Sequence, residues 1–449
     1  GRDRLVRQHA EPQARPVRGA PQRQRPLAAP ALGHLAAHLR ERQPDKPGLA
    51  GSKSLIPRLD MVRDLDGDGT LDLLLPARDG LAVYMAAGGD LPTSAASRIA
   101  FPGDVRKSGV HPRRLYPRPT IDDLDGDGKP DLLFLHPDKD RQGKDAVEVL
   151  RGEGGGRFGA PQRVAIDAFV EASKTAVAAN DGKSKKKEDD KDADIDQDEA
   201  GFKYFGDLTG DGLAEAVFVA EVDNGKSGLK QVKEPEFEYR FYHADKNFVI
   251  QPQPYQKLRV LGFGFSIDEG EVQAEEFLDL DGDHRKDLVT VTLDFSMFQL
   301  VRIMATKRIS IGLNFHVWHQ GSDGVFAPVT GLDLSETLRM DLNNLKLGSL
   351  AEFAGDFDGD GRSDFVHLGR GKEVTIHRGQ AGCRYAPKAD LTVPFEEEPG
   401  DVSLVRIGDY DGDGRADIAL IRPIEIKDSP DPDVSSPVRL DLYLSGGAR

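Results

Sequence analysis

Short apolar runs with the alternation of half-buried strands recur along this chain: "DLLLPA", "DLLFLHP", "EAVFVAEV", "DLVTVTLDF", "DFVHLG" and "DIALIRP". Each has an apolar approach before it, as in "FKYFGDL", "LAEFAGDF" and "VSLVRIGDY". Each is followed by a third alternating segment: "LAVYMAAGG", "AVEVLRGEGG", "EFEYRFYHA", "ISIGLNFHVWHQG", "EVTIHRGQ" and "VRLDLYLSGG". A turn then delivers an aromatic residue (Phe101, Phe158, Phe248, Phe326 or Tyr385) that the pattern makes the opening of a fourth strand. Four short strands per unit predict an all-β chain, a β-propeller of four-stranded blades. One such sheet buries too little alone, so the blades must pack on one another.

Between the first and second strands of every unit stands the same acidic turn. The copies are "DLDGDGTLD" at 64–72, "DLDGDGKPD" at 123–131, "DLTGDGLAE" at 207–215, "DLDGDHRKD" at 279–287, "DFDGDGRSD" at 356–364 and "DYDGDGRAD" at 409–417. Their first residues lie 59, 84, 72, 77 and 53 positions apart, which makes a unit of about 55–60 residues stretched by insertions. In one insertion, 165–180, Ile166, Phe169, Val170 and Val177 share a helical face, predicting a short rim helix. The run 183–199 after it is too charged to pack and reads as a mobile loop, and residues 294–308 form a second, less regular insertion.

Carboxylates alternating in a tight loop can all point inward at a hard divalent cation, which takes six to eight oxygen ligands at about 2.3–2.6 Å. The candidate ligands are the residues at loop positions 1, 3, 5 and 9, with the backbone carbonyl of position 7. They are Asp64, Asp66, Asp68, Thr70 and Asp72; Asp123, Asp125, Asp127, Lys129 and Asp131; Asp207, Thr209, Asp211, Leu213 and Glu215. The later copies supply Asp279, Asp281, Asp283, Arg285 and Asp287; Asp356, Asp358, Asp360, Arg362 and Asp364; Asp409, Asp411, Asp413, Arg415 and Asp417. Glycines such as Gly126 and Gly128 permit the wrap. An EF-hand is excluded, because its twelfth position needs a carboxylate and here holds Leu75 or Phe134. Thr209 and Glu215 predict a weaker third site, and His284, in place of a glycine, predicts strain in the fourth.

Over residues 54–446 the chain resembles the FG-GAP/VCBS repeat family, whose best-known members are the calcium-binding blades of integrin α-subunit propellers. The family's namesake string stands at Phe158–Pro161 as "FGAP", with shortened forms "FAP" at 326–328 and "YAP" at 385–387. The resemblance implies a propeller with Ca²⁺ in these loops, up to six ions, and a binding or adhesion role. It also implies seven blades where six are recognisable. The last unit ends at "LDLYLSGGAR", before a fourth strand, and residues 1–50 offer no strand-like segment to complete it. Either the chain is a fragment of a longer protein or closure uses a segment the pattern does not reveal; an exposed edge there would be an aggregation hazard.

Composition narrows the function. Residues 1–50 are rich in Arg, Ala, Pro and Gln, carry a net charge of +6 and read as disordered or foreign to a propeller that spans 51–449. Removing them from the total of −16 leaves −22 on the rest, which argues against nucleic acid and for a cationic ligand. No apolar run is long enough for a membrane span. Loops of this openness bind calcium at about 10⁻⁴–10⁻³ M in extracellular modules, so the expected location is extracellular, cell-surface or periplasmic. Gly-Lys-Ser at 225–227 and 182–184 lacks the first glycine of a phosphate loop. His316 and His319 read as surface and packing residues rather than metal ligands, and the lone Cys383 as a packing residue. The reading is a non-enzymatic scaffold for a protein or glycan; the alternative is an extracellular polysaccharide-acting enzyme, with convergent basic or paired acidic groups in the central cleft.

Overall fold

The computed structural model describes residues 4–9 and 62–446, apart from positions 67, 69, 167 and 412 and the segments 78–79, 88–91, 101–105, 108–113, 116–118, 139–143, 171–199, 227–228, 265–275, 342–345, 348–349, 369–371, 400–404 and 424–437. Six small antiparallel sheets stand round an axis as a six-bladed β-propeller.

Blade 1 is built from Val62–Arg63, Asp72–Ala77, Gly80–Tyr84 and Ser97–Ala100, and blade 2 from Pro119–Asp122, Asp131–Asp138, Lys144–Leu150 and Gln162–Val164. Blade 3 comprises Gly201–Gly206, Glu215–Val222, Glu236–His243 and Gln256–Leu261. Blade 4 is the largest: Phe263–Gly264 and Phe277–Leu278 both pair with Asp287–Asp294, which pairs in turn with the long strand Arg308–Gln320 and so reaches Ser335–Asp341. Blade 5 holds Leu350–Phe353, Phe365–Leu368, Glu373–His377 and Leu391–Pro394.

Blade 6 is completed from within residues 1–50, which corrects the reading that this segment holds no strand. Its strands Val405–Gly408, Asp417–Pro423 and Val438–Gly446 are completed by Arg4–His9, which pairs antiparallel with the last of them from Arg4 opposite Gly446 to His9 opposite Asp441. "RLVRQH" alternates only weakly, and its basic neighbourhood conceals it. The backbone partner supplied by the sheet edge decides its conformation. Residues 10–50, and the charged run expected to be a loop at 183–199, lie outside the described residues.

The core lies between blades, where alternate residues of facing strands meet. Leu132, Phe134 and Ile121 of blade 2 pack with Leu74, Leu81 and Val83 of blade 1. Phe218 and Tyr242 of blade 3 join Val147 and Val149 of blade 2. Equivalent clusters join blade 3 to 4, 4 to 5 and 5 to 6. The repeating aromatics do not open the fourth strands as the sequence pattern suggested. Phe158 and Tyr385 sit in small hairpins, and Phe248 in a turn, between the third and fourth strands of their blades. Each packs back on the preceding blade, as does Phe326, which stacks on Phe241 with ring centroids 4.7 Å apart. A large ring in the connection closes the gap between sheets that diverge outward. Phe101 lies outside the described residues.

The insertions keep their predicted places. The expected rim helix begins at Ile166; Ile166 is buried and Phe169 and Val170 pack on the cluster between blades 2 and 3, while Val177 lies outside the described residues. The second insertion is the helix Met297–Thr306. Ser296 caps it with a capping box closed by Gln299, and Lys307 ends it in the left-handed conformation at φ 57°.

Candidate metal centres

All six acidic loops leave the first strand of a blade and enter the second, and the backbone links neighbouring loops. Ala214 N–H donates to Leu124 O at 3.2 Å, Lys286 N–H to Leu208 O at 2.8 Å, Ser363 N–H to Leu280 O at 3.0 Å and Ala416 N–H to Asp356 O at 2.6 Å. The loops of blades 2 to 6 therefore form a chain of contacts at one end of the propeller.

Within the loops one geometry repeats. The first carboxylate caps the turn: Asp123 accepts from the N–H of Gly126 and Gly128 at 3.0 and 2.9 Å, and Asp207 from Gly210 and Gly212 at 2.7 and 2.9 Å. Asp64, Asp279, Asp356 and Asp409 act alike. The fifth carboxylate accepts from the seventh residue's N–H: Thr70, Lys129, Leu213, Arg285, Arg362 and Arg415 donate to Asp68, Asp127, Asp211, Asp283, Asp360 and Asp413 at 2.7–3.0 Å. Side chains of Lys129, Arg285 and Arg362 also pair with that carboxylate, a contact the sequence reading missed although a basic seventh residue was its visible sign. Lys129 thereby holds Asp127 below the usual carboxylate range.

The ninth residue is the buried member. Asp131 takes Leu124 N–H at 3.2 Å and Gly152 N–H at 2.7 Å, tying the loop to the small hairpin that follows the third strand of its blade. Asp72, Asp364 and Asp417 make the same bridge to Ala86, Gly379 and Ser445, and Asp287 to Gln320. Glu215 reaches Leu208 N–H and the Nδ1 of His243. These side chains are no more than 1% exposed. Burial raises Asp131 and Asp364 to about 6 and Glu215 to about 8.

The third residue is different. In five loops it keeps a buried side-chain oxygen with no hydrogen-bond partner: Oδ1 of Asp66, Asp125, Asp281 and Asp358, and Oγ1 of Thr209. Around it gather Asp64, Asp66 and Asp72; Asp123, Asp125 and Asp127; Asp279, Asp281 and Asp283; Asp356, Asp358 and Asp360, each set with ligand atoms within 4.8 Å of one another. Burial, with the negative charges of neighbouring loop carboxylates, raises Asp66 and Asp358. An unpartnered buried oxygen at the same place in five turns, among like charges, fits a divalent cation in donor type and number. At the position that is glycine in the other loops His284 adopts φ 67°, against 78–84° at Gly128, Gly212, Gly361 and Gly414, so it carries the expected strain.

Residues 353–420, which run from the end of blade 5's first strand through the loops at 356–364 and 409–417, match the model of the FG-GAP-like repeat. The protein is a β-propeller with an FG-GAP-like repeat. No curated protein sequence matches the chain. Among solved structures the chain is similar to the Tc holotoxin pore of Photorhabdus luminescens, at 16% identity and TM-score 0.36, over 85% of this chain; it spans 14% of that chain's length. An Agrocybe aegerita lectin recognising non-reducing terminal N-acetylglucosamine aligns at 16% identity and TM-score 0.29, over 73% of this chain and 78% of the lectin. The α-L-arabinanase of Penicillium chrysogenum, complexed with arabinobiose, aligns at 8% and 0.27, over 85% of this chain and 90% of the enzyme. Among the described residues no helix is long and apolar enough to cross a membrane.

Proposed function

We propose that this propeller binds calcium in its acidic loops and serves as a non-enzymatic scaffold for a protein or glycan outside the cytosol, at a cell surface or in a periplasm. The observation that carries the metal reading is the recurrent unpartnered oxygen at loop position 3. Each ion would draw in the side chains of positions 1, 3 and 5 and the carbonyl of position 7. The ninth carboxylate keeps its backbone bridge and lends a second lone pair. Because successive loops are hydrogen-bonded to one another, loading one turn stiffens its neighbour, and the whole end becomes a rigid base for the variable connections around it. Ion binding also offsets the −22 that residues 51–449 carry.

Scanning calorimetry tests the metal reading. Millimolar Ca²⁺ is expected to raise the melting temperature and a chelator to lower it reversibly. Coincident melting curves in the two buffers would refute it. For the scaffold role, a glycan array and cell-surface binding assay in Ca²⁺ are expected to give retention that chelation abolishes; glycan turnover by the purified protein would overturn the non-enzymatic reading.

A further inference from the structure

The fourth loop differs from those of blades 2 and 5 in what faces it, and shares a histidine there with blade 3, where His243 faces Glu215. In blade 2 Arg151, the residue just after the third strand, sets its guanidinium 2.8 Å from Asp125. In blade 5 Arg378 does the same to Asp358 at 3.4 Å. In blade 4 the equivalent residue is His319, whose Nδ1 lies 3.8 Å from Asp281 Oδ2 and 3.0 Å from Asp287 Oδ1. A permanent cation is thus replaced by a neutral-capable imidazole. Beside it the hairpin of blade 5 inserts Cys383, held at φ 56° in its turn, with Sγ 3.0 Å from Asp287 Oδ2 and 3.5 Å from His319 Nδ1. The neighbouring Gly382 N–H donates to Asp281 Oδ2 at 2.9 Å.

We propose that Asp281, Asp287, His319 and Cys383 form a zinc site between blades 4 and 5, in which the fourth loop holds Zn²⁺ in place of the Ca²⁺ assigned to the all-oxygen loops. Their ligand atoms lie within 4.8 Å of one another. Tetrahedral Zn²⁺ with bonds of about 2.0–2.3 Å sets ligand atoms roughly 3.3–3.6 Å apart, and the measured pairs of 3.0, 3.0, 3.5 and 3.8 Å bracket that spacing. A thiolate, an imidazole and carboxylates suit Zn²⁺ and not Ca²⁺, which takes oxygen alone. The second observation is the state of Asp281: its side chain is 9% exposed and its Oδ1 has no hydrogen-bond partner, so a charge is buried there without the arginine that blades 2 and 5 provide. Cys383 is fully buried, while His319 is 30% exposed and leaves an entry path. On loading, the Sγ–H proton now shared with Asp287 is released to solvent and the thiolate binds the metal. The ion would pin blade 5 to blade 4 where the backbone chain of loops passes from one to the other.

Cobalt tests this on the full-length chain, in Ca²⁺ so that the other acidic loops are filled and Co²⁺ competes only for the fourth. Because the chain holds one cysteine, a thiolate-to-cobalt charge-transfer band can come only from Cys383. One equivalent of Co²⁺ is expected to produce that band with the intense visible absorption of tetrahedral cobalt, and Zn²⁺ to bleach both. Cys383→Ser should abolish the band, and His319→Gln should weaken Co²⁺ binding at least tenfold, with circular dichroism unchanged. Cobalt uptake by the unaltered protein without the charge-transfer band would overturn the proposal, as would equally tight binding in His319→Gln. Loss of the band with calcium binding intact removes the zinc site alone.

Discussion

Neutralising one third-position carboxylate should change stability in opposite directions with and without calcium. Asp66 is the cleanest choice, since its Oδ1 has no partner and it gathers with Asp64 and Asp72 within 4.8 Å. Two unit charges at that separation repel by about 1 kcal/mol at the dielectric constant of water and by about 3 kcal/mol at an effective value of 20. The loop is partly solvated, so the lower figure governs, and Asp66→Asn should stabilise the calcium-free protein by roughly 1 kcal/mol. With calcium a hundredfold above the dissociation constant, each site contributes about 2.7 kcal/mol. The same substitution should forfeit most of that. Urea denaturation of both proteins, in chelator and in calcium, reads the crossing directly. A variant less stable by the same amount in both buffers would refute the view that Asp66 is repelled by its neighbours until an ion arrives.

The ninth position should behave otherwise: Asp131→Ala strands the N–H groups of Leu124 and Gly152 and should cost about 2–5 kcal/mol in urea unfolding whether or not calcium is present, an effect confined to calcium buffer excluding the bridging role. The pH dependence has a defined sign. Asp131 and Asp364 titrate near 6 in the calcium-free fold against an ordinary 3.8, so the stability they contribute is present at low pH and lost as pH rises through about 6. Calcium requires the ionised form, so its affinity should fall as pH drops through the same range; calorimetric titrations at pH 7.5 and 5.5 with equal affinities would contradict this. Removing residues 1–9 bares the edge of Val438–Gly446, and light scattering should show concentration-dependent association that the full chain lacks. A truncated chain that stayed monomeric would show that this edge needs no cover.

The architecture was legible because two short-range signals repeat in phase. Strands such as "EAVFVAEV" alternate, and each acidic turn marks the joint between first and second strands, so six units and their order followed from residue spacing, although the resemblance implied seven blades. What escaped depends on partners distant in the chain. "RLVRQH" becomes a strand only against Val438–Gly446, more than four hundred positions away. Phe248 and Tyr385 read as strand openings because an aromatic after a turn usually is one; their burial against the preceding blade requires the three-dimensional wedge. The loop positions were visible, but the division of labour within them was not. That the ninth carboxylate is a backbone bridge, and the third is left unpartnered, depends on N–H groups donated by the next strand. Cys383 and His319, read separately as packing and surface residues, stand 3.5 Å apart although 64 positions separate them.

The central claim is that the repeating acidic turns are cation sites. Isothermal titration of the chelator-treated, full-length protein with Ca²⁺ counts them. The account predicts saturable binding of at least three Ca²⁺ ions per chain, one for each of the loops at 64–72, 123–131 and 356–364 that gathers three carboxylates and shares none with the proposed zinc site. A titration with no saturable heat, together with no ion retained on equilibrium dialysis, would contradict it.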